Sequence, residues 1–131
     1  TANAYYAFRY GMNRFDGSGV FYNFYNTKVA DWGNFGVLID KTGVYNRLTR
    51  MKKPGEVSLT ACTEGVGAWW GGGGIKEFKQ GESTSAGDIT PIHNGRCNMS
   101  FYDGHVGSFN RGELKAMGFK QCVISGTYTF L

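Results

Sequence analysis

The sequence predicts an α+β fold that is mostly β, with long Gly-rich loops and one short helix. Three observations carry this. Aromatic residues make up 16% of the 131 positions and charged residues only 18%, a balance that favours pleated, half-buried surfaces. The 21 glycines gather with Asp, Asn and Pro into dense turn signals. Finally, His93 to Phe109 (HNGRCNMSFYDGHVGSF) reads as a hairpin. Cys97, Met99 and Phe101 alternate with Asn98, Ser100 and Tyr102, so one face is apolar and the other polar. Asp103-Gly104 suits a two-residue type I′ turn, which would pair Phe101 with Val106, Met99 with Ser108, and Tyr102 with His105.

In chain order, Tyr5 to Tyr10 (YYAFRY) is aromatic and strand-compatible, and Gly11 ends it. Asp16-Gly17-Ser18-Gly19 marks a turn, Val20 to Tyr25 a short strand, and Asn26 to Asn34 a loop. Phe35 to Ile39 is a second apolar strand, turned by Asp40-Lys41-Thr42-Gly43. Leu48 to Lys53 approaches the Pro54-Gly55 turn, and Val57 to Cys62 is a third strand. Thr63 to Ser85 is a Gly-rich loop holding Trp69 and Trp70. Beyond the hairpin, Asn110-Arg111-Gly112-Glu113 has the form of a capping box, with Leu114 and Met117 on one helical face and Gly118 as the stop. Val123 to Phe130, broken at Gly126, adds an edge strand. The length, residues 1–131, suits a single domain with its own core.

Several functions find no support. The Gly run after Trp70 lacks the Lys-Ser/Thr of a phosphate-binding loop, and Gly65-Val66-Gly67 has Trp70 where a dinucleotide fold needs its third glycine. The net charge of +4 permits an acidic partner. However, Arg47, Arg50, Lys52 and Lys53 form the only basic cluster, and they read as a solvated face. No nucleic-acid motif is present, so no nucleic-acid partner is expected. Catalysis is not expected either. A Cys97–His93 pair is possible on paper, but Cys97 shares the apolar face with Met99 and Phe101, where burial makes a thiol inert.

Cys62, Cys97 and Cys122 are odd in number, widely spaced and without a C-x-x-C motif. Three buried apolar cysteines are the favoured reading, with one disulfide plus a free thiol as the alternative in an exported protein. No cofactor is expected. Calcium would have to use Asp88 and Asp103, with Asp16 or Asp40 as substitutes, and no dense acidic spacing singles out a site.

His93, nine residues, then Asp103-Gly104 resembles the H-x9-D-G signature of bacterial prepilin-type proteins, the pseudopilin and type IV pilin-like subunits. Asn98, Phe101 and the run Asp103-Gly104-His105-Val106 agree with it. Tyr10-Gly11-Met12-Asn13 is similar to the family's Y-G-x-N element, and Leu48 to Ala61 to its basic segment, Pro turn and apolar strand. Two positions depart: Cys62 stands where an acidic residue is common, and Ile92 where Arg is common.

The resemblance implies a pilin-like antiparallel sheet and a structural role for His93, Asn98, Asp103, Gly104 and His105. It also implies a filament subunit of a type II secretion pseudopilus or type IV pilus-like assembly, periplasmic or at the cell surface. The family's leader and long apolar helix, which anchors the subunit in the inner membrane and then contacts other pilin-like subunits, are not in this stretch. The chain is therefore expected to be the soluble part of a longer protein, and a monomer by itself. A secreted carbohydrate-binding β domain, stacking sugars on Trp69, Trp70 and Tyr rings, is the alternative.

Overall fold

The computed structural model describes residues 10–13, 16–17, 20–21, 23–40, 43–66, 77–81 and 87–131. The stretch Tyr5 to Arg9, the Trp69-Trp70 pair and the Gly run lie outside them. Among the described residues the chain is mostly antiparallel β with two short α-helices, and no helix is long and apolar enough to cross a membrane.

The central sheet is built around Ser58–Gly65 (β6). On one side lies Tyr10–Asn13 (β1), antiparallel, with Glu77–Phe78 (β7) parallel beyond it. On the other lies Cys97–Phe101 (β9) and then Val106–Phe109 (β10). Gly87–Ile89 (β8) pairs with Thr63–Gly65, so β8 and β9 follow β6 in succession. This pairing extends β6 beyond the Cys62 end expected from sequence. Residues 90–96 make an excursion between the two strands, closed by a tight turn in which His93 and Arg96 exchange backbone hydrogen bonds of 3.0 Å. Among the described residues three two-stranded ribbons complete the β structure: Asp16–Gly17 (β2) with Val20–Phe21 (β3), Gly36–Asp40 (β4) with Gly43–Asn46 (β5), and Gln121–Ile124 (β11) with Thr127–Phe130 (β12). The tail is therefore a hairpin of its own, where a single edge strand was expected.

The first correction concerns the turn at Asp103. The observed register is Ser100 opposite Val106, Met99 opposite Gly107 and Cys97 opposite Phe109. Gly104 N–H donates to the Phe101 carbonyl and Phe101 N–H to the His105 carbonyl, each at 3.0 Å. Gly104 alone has positive φ, at 90°. This is a three-residue loop, a type I turn closed by a glycine bulge, one residue out of register with the expected type I′ turn. The slip decides which side chains enter the core: Phe109 turns inward and Val106 outward, leaving Val106 77% exposed. Burying the larger ring is the better use of that face. Type I′ geometry falls instead at Asn94-Gly95, φ 52° and 79°, and at Ser125-Gly126, φ 51° and 75°.

The second correction is Asn23–Trp32 (α1), a helix where a strand and loop were expected. Its residues (NFYNTKVADW) are poor helix formers, so tertiary contacts hold it. Trp32 packs with Phe35, Met51 and Val57 into a small core, with Val29 and Tyr102 at its edge. Gly33, at φ 95°, ends the helix, and a Cβ there would lie 2.0 Å from the Arg50 carbonyl oxygen. Lys52 closes the same end, its amide donating to the Trp32 carbonyl at 2.8 Å and its ammonium to the Ala30 carbonyl at 3.2 Å. The second helix, Arg111–Ala116 (α2), begins with the expected capping box: Glu113 N–H donates to Asn110 Oδ1 at 2.9 Å, and Asn110 N–H to Glu113 Oε2 at 2.7 Å. It ends in a Schellman motif, with Phe119 N–H on the Leu114 carbonyl and Gly118 N–H on that of Lys115.

The main core lies on the inner face of the central sheet, where Ala61, Met99, Cys97 and Phe101 meet Phe78, Ile89, Leu114, Phe119 and Cys122. The opposite face carries a row through Met12, Thr60, Ser100 and Val106.

Candidate functional site

The two ends of β9 hold the residues of the signature, and each end has its own set of partners. At the C-terminal end the Asp103 carboxylate accepts the His105 amide at 3.0 Å and meets the His105 ring Nδ1 at 2.5 Å. These bonds hold the carboxyl below the usual carboxylate range, the amide contributing most. The His105 ring lies flat on Phe101, centroids 4.2 Å apart. The Pro54-Gly55 turn packs beneath: a Cβ on Gly55 would lie 2.8 Å from Asp103 Oδ2. Thus only the Cβ-less residue of that turn admits the Asp103 carboxylate.

Next to this turn is a cleft of about 370 Å³ between α1, the hairpin and α2, lined in part by Lys28, Trp32, Glu56, His105 and Phe109. Its polar groups already serve each other: Trp32 Nε1 donates to Glu56 Oε2 at 3.2 Å, and the Lys28 ammonium stands 5.8 Å from the Trp32 ring centre.

At the N-terminal end the focus is Cys62, which has no exposed surface. The groups that favour the thiolate at its sulfur are the Cys97 thiol, the Tyr10 hydroxyl, the Asn98 backbone N–H and the His93 ring. Register explains two of them, since Tyr10 sits directly across from Cys62 on β1, and β9 runs along the other side of β6. The Cys97 thiol is the largest influence and lowers the pKa of Cys62, while the same bond, together with burial, raises that of Cys97. Cys97 also points its sulfur at the carbonyls of Cys62 and Asn98, 3.7 Å from each. The Cys–His contact in the structure therefore involves Cys62, where the sequence suggested Cys97. Asn98 also bonds the Tyr10 hydroxyl.

Asn13, last residue of the Tyr10-Gly11-Met12-Asn13 element, belongs to a buried polar network that sequence reading missed. Its amide donates to the Ser58 carbonyl at 2.9 Å and its Oδ1 accepts the Gln80 amide at 3.1 Å. Gln80 Oε1 in turn accepts from Ser58 N–H at 3.1 Å and from Ser58 Oγ at 2.8 Å, while its Nε2 donates to the Glu56 and Met117 carbonyls. Gln80 has no exposed surface. The signal available in sequence was a Gln beside a Gly, which has no specificity.

The two calcium candidates lie apart in function. Asp88 is buried in β8, accepting its neighbour's Ile89 amide at 2.9 Å and Gln121 Nε2 at 3.3 Å. Asp103 serves the turn. Among the described residues no three His, Cys, Asp or Glu side chains converge as a metal site. In the basic cluster Lys53 is paired, 2.7 Å from Asp31 and 3.6 Å from Glu56. Cys122 is buried like the other two cysteines, and all three are free thiols. Comparison with family models, curated proteins and solved structures found no match for this chain.

Proposed function

We propose that this chain is the globular part of a pilin-like filament subunit, acting in a type II secretion pseudopilus or a type IV pilus-like assembly. The observation that carries the reading is the seat of the signature's Asp103 on Gly55 of the Pro turn, where a Cβ would lie 2.8 Å from the carboxylate. The family commonly places an acidic residue at the position of Cys62, and here the signature His lies beside the Cys62 sulfur. The Tyr10-Gly11-Met12-Asn13 element joins the same framework. Asn13 anchors β1 to Ser58. All these residues act as fasteners of the sheet, so the reading is structural, not catalytic.

On this reading the outer row of the sheet, where Met12 is 56% and Val106 77% exposed, offers apolar surface to the long helix of a full-length subunit. That helix anchors the subunit in the inner membrane before assembly and makes the main contacts with other subunits. On this reading the isolated domain is monomeric, since contacts below ~1,000 Å² rarely hold partners together alone. The test is the open reading frame upstream of Thr1, followed by expression of the whole chain with a prepilin peptidase. A cleaved leader and a membrane-anchored product are expected. A catalytic domain upstream, or a product never processed, would overturn the reading.

A further inference from the structure

We propose that Cys62 and Cys97 are the partners of a disulfide formed as the domain folds, with Cys122 left as the free thiol. Three cysteines allow three pairings, and the fold sets one of these pairs side by side on adjacent strands. Cys62 lies within β6 and Cys97 opens β9, strands paired through Ala61–Met99 and Thr60–Ser100. Continuing this register sets Cys97 one position along from the residue facing Cys62, so a strand spacing of about 4.8 Å and a rise of about 3.3 Å per residue put the two Cα atoms roughly 6 Å apart, inside the ~4.4–6.8 Å that a disulfide spans. The Cys97 sulfur lies 3.7 Å from the Cys62 carbonyl oxygen, and Cys97 is the largest influence on the Cys62 thiol.

The thiolate is the form that attacks a disulfide, and the exchange is written with Cys62 attacking first; the reverse order gives the same product. In balanced form, the Cys62 thiolate attacks a small-molecule disulfide such as oxidised glutathione, joins one half and expels the other as a thiolate. Cys97 gives its proton to the expelled thiolate and attacks the Cys62 sulfur, releasing the second half. The two protein thiols are oxidised to one disulfide, and the oxidant is reduced to two thiols. Both cysteines have no exposed surface in the folded chain, so the exchange belongs to folding, before β1 and the excursion close over them. Once formed, the bond fastens the start of the signature strand to β6 and is shielded from reductant.

The experiment refolds the 131-residue chain in a buffer of oxidised and reduced glutathione, blocks free thiols with an alkylating reagent, and maps the peptides by mass spectrometry. The expected product is two hydrogens lighter than the reduced chain, with Cys62 linked to Cys97 and the alkyl group on Cys122. Its thermal midpoint should fall by several degrees on reduction. A bridge to Cys122, or three alkylated cysteines after refolding to the native spectrum, would overturn the proposal. These outcomes concern the purified domain, so they leave the filament reading to its own test.

Discussion

Phe101 and Phe109 meet edge to face on the inner side of the β9–β10 hairpin, ring centroids 5.6 Å apart and planes at 79°. Only the three-residue turn at Tyr102-Asp103-Gly104 allows this, because a two-residue turn would send Phe109 to solvent and bring Val106 inward. The ring pair adds about 1 kcal/mol to the area that it buries.

That register predicts opposite outcomes at two nearby positions. Val106→Thr should change stability by less than about 0.5 kcal/mol, as exposed sites do. Phe109→Ala should cost about 2 kcal/mol, somewhat less than a fully buried ring. Urea denaturation of both variants decides the matter; a costly Val106→Thr beside a silent Phe109→Ala would mean the register is wrong.

Two glycines with positive φ should differ in the cost of a methyl group. At Gly104 the space around a Cβ is open, so Gly104→Ala suffers backbone strain alone, about 1 kcal/mol. At Gly33 the added atom would sit 2.0 Å from the Arg50 carbonyl oxygen, and α1 must move away from its core. Gly33→Ala should therefore lose more, on the order of 3 kcal/mol. Equal thermal midpoints for the two variants would contradict this.

Gln80→Leu is nearly isosteric and removes the amide on which three segments depend. Ser58 N–H and the Asn13 side chain lose a buried partner, and the Glu56 and Met117 carbonyls lose a donor. The expected cost is roughly 2–4 kcal/mol, since groups left unsatisfied in the interior bear their full desolvation. Calorimetry measures it, and a stabilised variant would show the network to be dispensable.

Stability should fall as pH rises, through Asp88. Burial, the dominant cause, lifts its carboxyl from 3.8 to about 7, against smaller opposing effects from the Ile89 amide and Gln121. The titratable groups facing it are Glu64, its cross-strand neighbour on β6, and Cys122 on β11. The folded chain holds a proton that the unfolded chain releases. The stabilisation is therefore complete below about pH 4 and is lost as pH climbs to about 7, at ~1.4 kcal/mol per unit. Urea midpoints at about pH 4.5 and about pH 7.5 should differ for the parent and converge for Asp88→Asn. A parent midpoint that rises over this range would refute the sign.

What the sequence disclosed was local. The capping box at Asn110–Glu113, the alternation of Cys97 to Phe101, the apolar run through Val57 to Cys62 and the β-rich balance each follow from neighbours within a few positions. What it concealed was set by distant partners. α1 has weak intrinsic propensity and exists because Trp32 meets Met51 and Val57. The turn at Asp103 was chosen by the need to bury Phe109, which outweighed the preference of Asp-Gly for a two-residue loop. Of the candidate site, His93, Asp103 and the cysteines were legible as residues of interest. The meeting of His93 with Cys62 depends on β8 and β9 pairing with β6 one after the other, and no short motif encodes that.

The excursion over residues 90–96 has one further use. Its tip, Asn94-Gly95, is exposed and a side chain on Gly95 would meet nothing, while the strands on either side are pinned to β6 independently. Extra residues spliced between Asn94 and Gly95 add only a slowly growing loop entropy. An epitope or fluorophore-binding peptide grafted there should be displayed on intact protein, which makes this turn the natural handle for labelling the chain without touching its core.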